Sequence, residues 1–389
     1  MIVMCYYTNI NSVRKIFSRF VFFCFLYRVC VNYRNTMLLV RTLISVFIII
    51  LSQVKLTLGG DIETSKKFVI LAIDGGGVRG IIPARILQEI ELRTGKPIYK
   101  MIDLISGNST GGIICLGLVK PPSVSNFGPY SATELVNLYK HNSKNIFSKS
   151  VFWQIKTGKG ILGAQYDRNS LDKLLDRYFQ DSKFSNALRP AFVFSYSLDK
   201  REAHIWSSIV ARTSDDHDFY MRDIAGATSA APTYFTPKKF QNVKRSKNFV
   251  EVDGGIYTNN PTILTLANTI RDFPKLKSSD IILISLGTGK TSPSSSFSNL
   301  KSTGTWGWVV DANLIDIMLN LNEEITEWES NMLRLNKFYR LQVTIDEQQQ
   351  PMDNVSEKNI DSLLKTTENY IKENTKTIDE ICSILNNNS

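Results

Sequence analysis

Unbroken apolar runs of strand length alternate along this chain with stretches whose apolar residues recur at helical spacing. Lys66 and Lys67 introduce Phe68-Val69-Ile70-Leu71-Ala72-Ile73, which has no polar interruption and stops at Asp74-Gly75-Gly76-Gly77. A strand with one wet face would alternate, so this run predicts a strand buried on both faces, the setting of a parallel sheet. Residues 82 to 92 then follow a helical period, with Pro83 acceptable in the first turn. Residues 101 to 106 predict a second short strand, and the apolar stretch Gly112 to Val119 a buried helix.

The same grammar continues. Residues 133 to 141 and 170 to 179 read as helices, and 192 to 196 and 203 to 206 as strands. Asp280 to Leu286 is another buried strand that stops at glycines, the Ser-rich segment 292 to 302 is a connector, and 338 to 343 is a strand between helical patterns at 314 to 335 and 361 to 385. Residues 142 to 169 are aromatic and Gly-rich without periodicity, as a flap over a site or a packed surface loop would be. Strand, turn and helix in repetition predict an α/β fold with a mostly parallel sheet.

Composition changes this picture at the N-terminus. The net charge is +10, but residues 1 to 60 hold seven Lys and Arg and no acid, which leaves the rest with 39 basic against 36 acidic side chains. A near-neutral body behind a basic, apolar leader excludes a nucleic-acid groove and points to targeting or membrane contact. The chain therefore divides into a leader, 1–60, and a single folded body, 61–389. The apolar run Leu43 to Leu51 suits a signal-peptide core better than a spanning helix, which needs about 20 apolar residues. Residues 37 to 51 thus predict a secreted or membrane-associated protein, with Met37 as an alternative start and a cytoplasmic location if the leader is not real. The five cysteines form no CxxC pair and have no ligand-like spacing with the three histidines, so no metal is expected.

Candidate chemistry lies where the apolar runs stop. Gly107-Asn108-Ser109-Thr110-Gly111 stands between an apolar strand and an apolar helix, which presents Ser109 on a sharp turn at a helix N-terminus, with Gly107 and Gly111 relieving the crowding. The loop Gly75-x-Gly77-x-x-Gly80 fits a dinucleotide pattern, but its bare N–H groups serve a tetrahedral oxyanion equally well, and the serine elbow favours that role. Asp253-Gly254-Gly255 supplies a carboxylate. No histidine follows Asp253, so a Ser-acid-His order cannot be built, whereas Asp253 taking the Ser109 proton itself fits the inventory. Such a base must be partly buried, because an ordinary aspartate has a pKa of about 3.9.

Together these residues resemble the patatin-like phospholipase family. The resemblance extends to Ala227-Thr228-Ser229-Ala230-Ala231-Pro232-Thr233-Tyr234-Phe235 and to Asn259-Asn260-Pro261. It implies a three-layer fold, Ser109 as nucleophile, Asp253 as general base, Gly75, Gly76 and Gly77 as oxyanion cradle, and Arg79, Gly80, Gly107, Gly111, Gly254 and Gly255 as supporting motif residues. It further implies hydrolysis of acyl esters in phospholipids or neutral lipids, with no metal and no cofactor, so the expected partners are a phospholipid or other acyl-lipid substrate and a membrane surface, and no nucleic acid. The rival readings are a catalytically inactive membrane-binding protein on the same fold, a neutral-lipid esterase and, from the glycine loop alone, a nucleotide-dependent oxidoreductase. Whether a protein activator is needed is not legible in the chain.

Overall fold

In the computed structural model the described residues are 66–122, 128–147, 163–291 and 324–388, all within one compact unit, Ser65–Ser389. The leader, the serine-rich connector and residues 148 to 162 of the expected flap lie outside them.

Eight strands form one sheet. They are β1 (Phe68–Ile73), β2 (Leu104–Asn108), β3 (Ala191–Ser197), β4 (Glu202–Ser207), β5 (Lys238–Gln241), β6 (Asn248–Asp253), β7 (Ile281–Leu286) and β8 (Lys337–Leu341). The order is β5-β6-β3-β2-β1-β7-β8, with β4 pairing β3. Five neighbours, β3, β2, β1, β7 and β8, run parallel, while β4 and β6 pair antiparallel with β3 and β5 pairs antiparallel with β6.

The helices that matter for the site are α1 (Ile81–Thr94), α2 (Thr110–Val119), α3 (Ala132–Ile146), α4 (Arg168–Phe179), α5 (Met221–Thr228), α6 (Thr262–Asp272), α7 (Glu357–Glu373) and α8 (Thr375–Asn388). Side chains of the central strands alternate between two apolar clusters. Val69, Leu71, Ile73, Ile105, Val193 and Ile284 enter the larger one with α1 to α5, α7 and α8. Ile70, Leu104, Phe192, Phe194 and Leu283 enter a second with Leu266 of α6. Helices thus cover both faces, which explains why the strands read as unbroken apolar runs.

Three expectations are corrected. The second strand is Leu104–Asn108 rather than 101–106, because Ile98–Met101 closes a helical turn and Asp103 pairs with Val69 through both its N–H and its carboxylate. The helix from 133 does not stop at His141 but runs to Ile146, started by a capping box between Ser131 and Glu134. The helix expected over 361–385 is two helices that break at Asn374.

Candidate active site

The site arises where two strands share one edge of a third. Along one side β3 pairs with β4 over Phe192 to Ser197. Along the other, β2 occupies the first half and ends with Asn108 opposite Phe194, while β6 arrives from the opposite direction and ends with Asp253 opposite Ser195. Phe194 and Ser195 are consecutive, so the C-terminal ends of β2 and β6 meet head to head. Residues 145 positions apart in sequence are thereby neighbours, and the Asn108 Nδ2 amide donates to Asp253 Oδ1 at 3.1 Å.

Ser109 follows β2 directly and is the N-cap of α2, with φ 51° and ψ −120°. Such a backbone is strained for a residue with a side chain and persists only where its surroundings enforce it. They do so here: a Cβ at Gly107 would lie 2.1 Å from the Gly111 carbonyl oxygen, and one at Gly111 would lie 2.2 Å from that of Ile73. The Ser109 N–H donates to Thr228 Oγ1 at 2.8 Å, and that hydroxyl donates onward to the Phe194 carbonyl at 2.6 Å.

Asp253 is 4% exposed. Its Oδ1 also accepts the Gly255 N–H at 2.8 Å, and the Ser109 side chain is near enough to the carboxyl group to favour its charged form. Burial raises the Asp253 pKa to about 6, against the downward pull of Ser109, the Gly255 N–H and Asn108. The burial expected of a carboxylate that acts as a base is therefore present.

The glycine loop after β1 lies beside the elbow. The Gly75 N–H is taken by the Asn259 carbonyl at 3.0 Å and the Val78 N–H by the Met352 carbonyl at 2.9 Å, whereas the N–H groups of Gly76 and Gly77 have no partner among the described residues. The free donors of the expected cradle are thus Gly76 and Gly77, and Gly75 instead ties the loop to the turn after Asp253. Arg79 is buried and reaches the carbonyls of Gly76 and Gly289 from its guanidinium. Gly80 packs under Thr110, where a Cβ would stand 2.2 Å from its hydroxyl. Beneath the loop, Asp74 Oδ2 pairs with Arg340 Nη2 at 2.6 Å, and Thr288 Oγ1 donates to the Gly75 carbonyl at 2.6 Å.

Ser109, Asp253, Gly76 and Gly77 open into a single cavity of about 1180 Å³, its mouth included. Its walls are apolar, from Ile113 of α2, Leu138 of α3, Leu171 and Leu174 of α4, and Phe235. Among the described residues no group of His, Cys, Asp and Glu has metal-binding geometry. His204 engages Glu251 at 2.9 Å rather than the serine.

Several members of the site had no separate sequence signal. Thr228 and Asn259 fall inside segments that could be singled out, but their contacts to the elbow and to Gly75 need the fold. Arg340 and Met352 lie in β8 and in the loop after it, where nothing in the local pattern marks them.

Residues 71–266 match the patatin-like phospholipase family. Patatin-like protein 2 of Oryza sativa subsp. indica is 27% identical over 360 residues, covering 82% of this chain and 87% of that protein. Patatin-17 of Solanum cardiophyllum is 28% identical over 344 residues, covering 80% and 85%. Patatin-like protein 3 of Arabidopsis thaliana is 28% identical over 347 residues, covering 78% and 80%.

Proposed function

The chain belongs to the patatin-like phospholipase family, and we propose that it is a lipid acyl hydrolase that cleaves fatty-acyl esters of membrane phospholipids with Ser109 as nucleophile and Asp253 as general base. The observation that carries this reading is that Ser109, presented on a strained strand-to-helix turn, and the buried carboxyl group of Asp253 line the same apolar cavity.

Ser109 Oγ attacks the ester carbonyl carbon and its proton passes to Asp253. The carbonyl oxygen becomes the oxyanion and is received by the N–H groups of Gly76 and Gly77. Collapse expels the alcohol, which takes the proton back from Asp253, and leaves Ser109 acylated. A water molecule then gives a proton to Asp253 and attacks the acyl carbon, and collapse breaks the bond to Ser109 Oγ, which takes that proton from Asp253 as the fatty acid is released. With a pKa of about 6, Asp253 is ionised at neutral pH and is a stronger base than an ordinary aspartate. The apolar walls suit an acyl chain.

The test is fatty-acid release from phosphatidylcholine vesicles by the full chain, Ser109→Ala and Asp253→Asn. Each substitution is expected to lower kcat/KM by at least about 10³, as loss of a nucleophile or its base does in serine hydrolases. Release by the variants at the unsubstituted rate would refute the dyad. Release from triacylglycerol emulsions alone would favour a neutral-lipid esterase, and no release from either an inactive membrane-binding protein. Secretion or membrane association through residues 37 to 51 is part of the same proposal and is tested by N-terminal sequencing of the native protein.

A further inference from the structure

We propose that Asn108, resting on the reading of Asp253 as the base, is a positioning residue whose side-chain amide fixes the orientation of that carboxyl group and stabilises its charged form. Asn108 is the last residue of β2, fully buried, and its Nδ2 crosses the junction between β2 and β6 to Asp253 Oδ1. Oδ1 receives the Gly255 N–H as well, so two donors converge on one oxygen and oppose rotation of the carboxyl group.

The other end of the same amide points the same way. Asn108 Oδ1 is buried and has no hydrogen-bond partner, a state that native interiors rarely tolerate. Turning the amide over would set that oxygen against Asp253 Oδ1, acceptor against acceptor, so the nitrogen is held where it is by the carboxylate. Gly254 makes the arrangement possible. A Cβ there would lie 2.5 Å from Asn108 Oδ1, and the first glycine after Asp253 therefore leaves the space that the amide occupies.

Two further titratable groups surround Asp253. Tyr257, on the following turn, has its phenol pushed above the ordinary range by burial and by the Glu251 and Asp253 charges. Glu251, on the same strand, is engaged by Ser195 Oγ from β3 at 2.7 Å and by His204 Nδ1 from β4 at 2.9 Å. Asn108 is the side-chain amide that donates to Asp253 itself.

The experiment is the pH dependence of kcat/KM on a soluble p-nitrophenyl ester for the full chain and for Asn108→Ala, Asn108→Asp and Ser109→Ala, with melting temperatures measured alongside. In the unsubstituted enzyme activity is expected to fall as pH drops through about 6, where Asp253 takes up a proton. Loss of a donor to a charged group raises the pKa of that group, so the acid limb is expected to move up by about one pH unit in Asn108→Ala. In Asn108→Asp, which keeps the shape but brings a second carboxyl group, it is expected to move further. Limbs that superimpose on that of the unsubstituted enzyme in folded variants would overturn the inference, even with a lowered kcat. Should Asn108→Ala fail to fold, the isosteric Asn108→Asp decides alone. Ser109→Ala with full activity would instead overturn the dyad, so the two failures are distinguishable.

Discussion

Asp74 follows β1 and Asp253 ends β6; both are buried, and both lead into glycines, of which Gly76 and Gly77 after the first and Gly255 after the second border the same cavity. Their partners differ. Asp74 faces the Arg340 guanidinium at 2.6 Å, so its charge is compensated by a fixed cation and the pair holds the base of the glycine loop to β8. Asp253 accepts hydrogen bonds from neutral donors, the Gly255 N–H and the Asn108 amide, with the uncharged Ser109 side chain beside it. Burial raises the proton affinity of both carboxyl groups, but at Asp74 the Arg340 charge and hydrogen bond pull against it, whereas at Asp253 only neutral groups do. The same three-letter motif therefore serves as an anchor in one half of the site and as a poised base in the other, and what separates them is one arginine 266 positions away in sequence.

The largest effect on this contrast comes from removing that arginine. Arg340→Leu leaves Asp74 as an uncompensated buried charge and is expected to destabilise the fold by about 3–5 kcal/mol, read from denaturant unfolding. Adding Asp74→Asn to the same chain removes the stranded charge and is expected to restore part of the loss. A single variant with unchanged stability would show that the pair anchors nothing.

The next effect has the opposite sign. The Asp253 carboxyl has a pKa of about 6 in the fold, above its value of about 3.9 in an unfolded chain. A group whose folded pKa is raised favours the fold fully below the unfolded value, and that contribution is lost as pH rises through the folded value. The ionised carboxylate therefore costs about 3 kcal/mol of stability above pH 6 and nothing below about pH 4. Asp253→Asn, which abolishes activity in the proposed mechanism, is accordingly expected to melt higher than the unsubstituted chain at pH 8, with the two curves converging near pH 4. A lower melting temperature at pH 8 would contradict the assignment of Asp253 as the strained, functional carboxylate.

The sequence made one half of this contrast far easier to see than the other. Strands β1, β2 and β7 were legible because both of their faces are buried, so their composition alone gives them away. Ser109 and the glycine loop were legible because a strand-to-helix turn needs small residues at fixed spacing. Strands β5 and β6 were not identified. Lys238–Gln241 is a short, half-exposed edge strand, and Asn248–Asp253 alternates too briefly to stand out. The partners of the two aspartates were hidden for a different reason. Whether a carboxylate meets an arginine or an asparagine is decided by strand order, and strand order is not written in any local window. The family match, which ends at residue 266, stops short of Thr288, Arg340 and Met352 as well.

The smallest effects separate the two halves most finely, because each half uses one threonine hydroxyl to hold its turn. Thr288 Oγ1 donates to the Gly75 carbonyl at 2.6 Å in the Asp74 half, and Thr228 Oγ1 accepts the Ser109 N–H at 2.8 Å in the Asp253 half. Valine at either position keeps the shape and removes the hydroxyl, and each substitution is expected to lower stability by about 1 kcal/mol. Their kinetics should differ. Without Thr228 the Ser109 N–H loses its acceptor, and the strained backbone that aims the nucleophile loses one of its restraints, so kcat is expected to fall by about tenfold with KM little changed. Without Thr288 the Gly75 carbonyl keeps a long contact from the Asn259 side chain at 3.5 Å, and Gly75 spends its own N–H on Asn259 rather than on the cavity, so kcat should move by less than about threefold. Equal losses of kcat would mean that the glycine loop is held as strictly as the elbow, and that the division between an anchoring half and a reacting half is too sharp.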